Sequence, residues 1–257
     1  MILAWYRQNR SDFGSVRATS LLLRVVWRRA VVTLRNSLLP IRVECPCCGW
    51  LGNCFLDYKE MGYSIRNIEC PRCGSHSRHR AFFLWLRNKY RVAERSGTAL
   101  IFAPERALAP IWSTARALEI VRVDIQADRD VDVIADVMDL PFATDTADTV
   151  WCHHVLEQVG DDRKAMRELL RVVKTGPGRL ILSAGMSGAD ATREFGRSEK
   201  GLSGNRRSYG TDIAQRLAEA GFIVKQLSYG LDSPELRRYA VRDEPFYECA
   251  KPRNELN

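Results

Sequence analysis

Six of the eight cysteines fall within residues 45–73, and their spacing is that of metal ligands. Cys45-Pro-Cys-Cys48 and Cys70-Pro-Arg-Cys73 form two Cys-x-x-Cys pairs with 21 residues between them. Each pair can present two thiolates from one tight turn, and Gly49 and Gly74 follow directly, where the chain must fold back with positive φ. Two such knuckles complete a tetrahedral sulfur site for zinc. Four thiolates close the shell, so the expected zinc is structural; a catalytic ion keeps a position open for water. Cys47 in place of Cys48 is a less regular register, and His76 and His79 are competing ligands. The bland alternative is a reduced, metal-free cluster, but so short a segment has little apolar mass to order itself.

A second set of residues could bind a nucleoside. Asp124 ends a β-rich run twenty residues after Pro104, where a carboxylate can accept bonds from two ribose hydroxyls. Asp136 ends the next run and can accept from an adenine amino group, with Val137 and Met138 flanking the ring. The run Asp148-Thr-Val-Trp-Cys-His-His154 opens into a loop with two histidines at its mouth. Histidine titrates near neutrality, and His154 is the candidate general base for an incoming acceptor. The bland reading of each acid is a helix cap or a solvated loop carboxylate.

These residues need a scaffold. Short β-rich runs occur at 99–103, 120–124, 131–135, 149–152, 179–183, 222–227 and 246–249, with helical patterns at 107–118, 162–173 and 211–220. Such alternation predicts an α/β fold, a doubly wound, mostly parallel sheet of seven strands. The last two strands lack a long helix between them, which suits a final strand antiparallel at the sheet edge. Residues 81–95 read as a linking helix. The expected divisions are 1–40 (basic amphipathic helix), 41–80 (zinc ribbon), 81–97 (linker), 98–251 (sheet domain) and 252–257 (tail).

The chain of 257 residues has a net charge of +8, unevenly placed. Residues 1–44 hold eight Arg against two acids, while residues 81–257 are neutral. A neutral body argues against an enzyme that tracks nucleic acid, since phosphate contacts dominate such binding. Residues 20–39 are apolar but interrupted by Arg24, Arg28, Arg29 and Arg35, which fits neither a spanning helix nor a cleavable signal. Arg17, Arg24, Arg28 and Arg35 share one helical stripe, with Leu21, Leu22, Val25, Trp27 and Val32 around them. One reading of residues 17–39 is a peripheral helix on a membrane surface; the favoured one is a helix packed on the protein's own body. The expected location is cytoplasmic, with the inner face of the membrane as the place of any peripheral contact.

Residues 98–184 resemble the class I S-adenosylmethionine (SAM)-dependent methyltransferases, in particular the type 11 group. The resemblance is carried by DVMDLPFATDTADTVWCHHVLEQVGDDRKAMRELLRVVKTGPG. A narrower likeness over residues 43–250 is to bacterial methyltransferases with an N-terminal four-cysteine ribbon. It rests on Cys-Pro-Arg-Cys-Gly-Ser-His-Ser-Arg-His-Arg80, Ala103-Pro-Glu105 and Tyr209-Gly-Thr-Asp212. The resemblance implies a Rossmann-like fold, SAM as cofactor, and a small-molecule or cell-surface glycan precursor as methyl acceptor. It places Asp124 at the ribose, Asp136 at the adenine, Ala103, Pro104 and Glu105 at the methionine end, and His153 among the cofactor contacts. The chain departs from the pattern by lacking glycines after its first sheet strand and by reading Leu-Glu-Gln158 where Leu-Glu-His is common. Two other functions fit the motifs: an RNA base methyltransferase, and a non-catalytic scaffold of the same fold.

Overall fold

A computed structural model describes residues 6–253 apart from 8, 12–13, 61–62, 128–129 and 196–203. The chain divides into two compact units, residues 1–85 with 230–243, and residues 86–229 with 244–257.

The first unit opens with α1 (Ser15–Leu38), which ends ahead of Pro40. Two short antiparallel hairpins follow. β1 (Val43–Cys45) pairs with β2 (Trp50–Gly52), and the first cysteine knuckle is their turn. β3 (Leu56–Glu60) pairs with β4 (Tyr63–Glu69) and delivers the chain to the second knuckle. α2 (Ser77–Asn88) starts four residues earlier than the expected linking helix. The His76 N–H donates to His79 Nδ1 at 2.9 Å, satisfying a helix-start donor that the pattern does not reveal. Past α2, Arg91 takes a left-handed conformation, so only a 3-10 turn follows at Val92–Glu94.

The second unit is built on a seven-stranded sheet. Its strands are β5 (Ser96–Phe102), β6 (Ala117–Asp124), β7 (Val133–Ile134), β8 (Thr149–His153), β9 (Arg179–Ser183), β12 (Ile223–Leu227) and β13 (Phe246–Ala250). The spatial order is β12-β13-β9-β8-β5-β6-β7. From β7 to β9 all pairings are parallel, while β13 runs antiparallel to both neighbours. The antiparallel last strand was expected at the edge; instead it lies one place inside, between β9 and β12. The connection over residues 228–245 is long enough to carry a helix, and the strand it delivers pairs antiparallel with β12 on one side and β9 on the other.

The chain leaves β5 outward to β6 and β7, then returns to lay β8 on the other side of β5. The strand order therefore reverses between β5 and β8, the place where open α/β sheets bind ligands. One face is covered by α4 (Asp162–Val172), preceded in the chain by α3 (Ala109–Trp112). Ala165, Met166, Leu169 and Val172 fall on one side of α4 and are fully buried against Leu100, Phe102, Val150, Cys152, Leu180 and Leu182. The Asp161 carboxylate caps α4 by accepting from Lys164 N–H at 2.9 Å.

The helix expected over 107–118 shrinks to α3. The Ser113 and Thr114 hydroxyls turn back onto the carbonyls of Pro110 and Ile111, and Ala117 and Leu118 are drawn into β6 opposite Ser96 and Gly97. Two minor elements complete this unit: a ribbon of β10 (Arg193–Glu194) with β11 (Arg207–Ser208), and α5 (Ile213–Glu219). α6 (Ser233–Arg238) belongs to the segment that rejoins the first unit and is closed by an Asp232/Glu235 capping box.

Candidate functional site

In the first unit, the Sγ atoms of Cys45, Cys48, Cys70 and Cys73 all lie within 4.8 Å of one another. Cys45 to Cys73 and Cys48 to Cys70 are each 3.7 Å apart. Four ligands at ~2.3 Å on a tetrahedron stand roughly 3.8 Å from each other, whereas a disulfide would need about 2 Å. The knuckle turns are closed by Gly49 N–H to Cys45 O and Gly74 N–H to Cys70 O, with both glycines at positive φ. Cys47, Cys54, His76 and His79 are not part of the cluster. Hydrogen bonds from Cys47, Cys70 and Cys73 pull the Cys45 thiol down, and burial pushes Cys48 up to about 11.

Arg80, the last residue of the Cys-Pro-Arg-Cys-Gly-Ser motif region, is fully buried. Its guanidinium donates to Ile68 O, Ser75 O, Tyr239 O and Ala240 O at 2.7–3.0 Å. It also lies 3.8 Å above the Phe55 ring. The motif was visible in the sequence but this role was not, because two of the four acceptors lie 159 and 160 positions downstream.

In the second unit, the carboxyl ends of β5 to β8 form one edge. Ala103 ends β5 in a left-handed conformation, φ 47°, with its N–H on Val123 O at 2.9 Å. It makes without glycine the turn for which relatives in the resemblance use glycine, and Pro104 and Glu105 follow. Asp124 is buried at the end of β6, its Oδ1 accepting from Gln126 N–H at 3.0 Å. The Ala135 N–H bonds Asp124 O at 3.0 Å, so Asp136 stands at the end of the adjoining strand. Asp136 Oδ1 accepts from Met138 N–H at 2.9 Å. The two acids thus lie at neighbouring strand ends. Val137 is buried and Met138 partly so, with Met138 Sδ accepting from Asp161 N–H.

The 137–142 loop is held from below by α4. Glu168 accepts from Leu140 N–H at 2.9 Å, and Arg171 donates to Leu140 O and Phe142 O. The paired guanidinium of Arg171 holds the Glu168 carboxyl down to about 2. Neither residue was singled out from sequence; their i,i+3 spacing reads as an ordinary surface pair.

At the mouth of β8, His153 is buried, its Nδ1 paired with Ser183 Oγ and its Nε2 3.5 Å from Glu105 Oε2. His154 takes φ 52° and is only part-buried. Its Nδ1 lies 2.7 Å from Glu157 Oε1, which also accepts from Gly185 N–H. Glu157 is buried, and its backbone oxygen accepts from Arg206 N–H and Arg207 N–H. Glu157 carries no separate sequence signal beyond its place in His-Val-Leu-Glu. Below it, Tyr209 donates to Asp162 Oδ2 at 2.8 Å, and burial pushes the Tyr209 phenol up. Tyr209 and Asp162 are therefore structural, closing the core under the loop.

A cavity of about 640 Å³ opens beside Pro104 and Glu105, floored by Trp112 and Ile120 with Arg106 and Arg122 among its polar lining. The β6-to-β7 connection, residues 125–132, is too short to lay a helix over this part of the sheet.

Residues 106–182 match the family model described as a methyltransferase domain. No curated protein matches the chain. Among solved structures, a candidate methyltransferase from Bacillus halodurans is 15% identical with a TM-score of 0.41, over 66% of this chain and 99% of that one. A candidate SAM-dependent methyltransferase from Listeria monocytogenes is 15% identical with a TM-score of 0.45, over 66% and 98%. A chain from the complex between the Haloferax volcanii Trm112 methyltransferase activator and its candidate methyltransferase is 16% identical with a TM-score of 0.47, over 70% and 92%. Residues 106–182 are thus similar to a methyltransferase domain, and a four-cysteine cluster precedes them in the chain.

Proposed function

We propose that the protein transfers a methyl group from SAM to a hydroxyl or amine of a small molecule or cell-surface glycan precursor. The observation that carries this reading is the single edge formed by Asp124, Asp136 and the His154–Glu157 pair at the ends of β6, β7 and β8. The donor set suits the cofactor. Two carboxylates on adjacent strand ends can take ribose hydroxyls at Asp124 and the adenine amino group at Asp136, with Val137 and Met138 beside the ring. Ala103, Pro104 and Glu105 would line the methionine end, and His153, locked by Ser183, would wall it.

Bound SAM supplies an electrophilic methyl on a sulfonium, so the protein's task is alignment and proton removal. The Glu157 carboxylate accepts at His154 Nδ1 and so favours the tautomer with its proton there, leaving Nε2 with a lone pair. That nitrogen can take the proton of a hydroxyl as the methyl is transferred, and Glu157 then stabilises the imidazolium. Cys45, Cys48, Cys70 and Cys73 would hold zinc, whose closed shell of four thiolates leaves it a structural role.

Calorimetry with S-adenosylhomocysteine tests the reading. Binding is expected, with Asp124→Ala weakening it at least about tenfold, the loss of one charged hydrogen-bonding group. Absence of binding by folded protein overturns it and returns the scaffold alternative. Retention of RNA that needs residues 1–80, with transfer to a base, would replace the small-molecule acceptor by RNA.

A further inference from the structure

α1 is docked through one face and turns a second, apolar stripe outward. On the inner side, Ala18 and Leu21 are buried, and Val25, Val32 and Asn36 are half-buried. Polar contacts add to these: Arg28 pairs with Asp57, Arg29 with Glu69, and the Asn36 carboxamide oxygen accepts from Asn53 N–H and Cys54 N–H while its amide donates to Cys54 O. The opposite side carries Val16, Leu23, Trp27, Val31, Leu34 and Leu38 at spacings of three, four and seven, one face of a helix. Trp27 is 71% exposed, Leu34 60% and Leu38 71%. The stripe is about 33 Å long at 1.5 Å per residue. The favoured expectation, a helix packed on the protein's own body, holds only for the inner side.

The rim of this stripe identifies its occupant. Arg17, Arg24 and Arg35 lie along one flank and make no ion pair among the described residues, and the helix contains no Asp or Glu. A second copy of the helix would bring like charges together. It would also set Ser20, Ala30 and Ser37 where a coiled-coil seam needs large side chains. No helix among the described residues is long and apolar enough to cross a membrane. We infer that α1 lies flat on an anionic lipid surface, with Trp27 and its leucine neighbours in the acyl boundary and Arg17, Arg24 and Arg35 on acidic headgroups. The inference is independent of the methyl-transfer reading.

Flotation of the full chain with vesicles of phosphatidylglycerol and phosphatidylcholine in equal parts tests it, needing no activity assay. The chain is expected to float with these vesicles and not with phosphatidylcholine alone, and to dissociate as salt rises. The triple variant Leu23→Ser/Trp27→Ser/Leu34→Ser should stay unbound, and Arg17→Glu/Arg24→Glu/Arg35→Glu should bind at least about 100-fold more weakly. All six positions are exposed, so circular dichroism should match the parent. No flotation, equal flotation on neutral vesicles, or unchanged flotation of the apolar variant overturns the inference. A vesicle-independent dimer in light scattering that the apolar variant dissolves would assign the stripe to a second copy instead.

Discussion

His154 and Glu157 are joined by a 2.7 Å hydrogen bond from Nδ1 to Oε1, across a loop in which His154 itself adopts positive φ. The left-handed backbone turns the ring back toward the buried carboxylate, so the pair is fixed before any ligand arrives. If the pair moves the acceptor's proton, His154→Asn lowers turnover by about 100-fold or more. Glu157→Gln should lower it less, and both should leave S-adenosylhomocysteine binding within a factor of about two of the parent. Single-turnover kinetics once an acceptor is found would check this; an unchanged rate for His154→Asn removes the residue from the chemistry.

The cysteine cluster predicts one zinc per chain by elemental analysis. Cys73→Ser should lose the metal, since three thiolates leave an open shell. Cys47→Ser should keep it, because Cys47 lies outside the set despite its burial. Equal loss from both variants would mean the ligand register is different.

Glu168 predicts a pH dependence of stability. Its folded value of about 2 lies below the ordinary 4.5, so its contribution is fully present above about 4.5 and is lost as pH falls toward 2. The loss is about 1–2 kcal/mol, since the pair with Arg171 is part-buried and solvent screens it. Glu168→Gln should flatten the acid limb of urea-unfolding stability between those values. It should also weaken S-adenosylhomocysteine binding, because the Leu140 N–H anchor of the 137–142 loop becomes a weaker neutral bond.

Ala103 predicts a stabilising substitution. A left-handed alanine costs about 1–2 kcal/mol, partly offset by the extra chain entropy of glycine, so Ala103→Gly should gain about 1 kcal/mol. Thermal unfolding would register the gain as a higher midpoint, and a lower midpoint would show that the methyl group packs favourably in the turn.

The strands and the clustered cysteines were legible because their signals are local. β8 and β9 were read to within a residue, and the two Cys-x-x-Cys pairs named the four clustered thiols directly. Helix 107–118 was misread because its apolar periodicity continues past Ser113, while pairing with β5 claims Ala117 and Leu118. The final strand was read as antiparallel but placed at the edge, since sequence order alone does not say on which side of β12 a returning strand settles. Arg80, Glu157 and Glu168 escaped notice for one reason. A charged side chain announces nothing until the carbonyls and amides around it are known, and theirs come from distant segments.

Arg80 also bears on how the chain assembles as it leaves the ribosome. Ile68 and Ser75 are made before it, but Tyr239 and Ala240 follow only after six of the seven sheet strands have been synthesised. Until then half of the acceptors for a guanidinium destined for burial do not exist. The cysteine module is thus translated before the sheet and completed late, so nascent chains stalled before residue 240 should remain open to proteases there, even with zinc supplied.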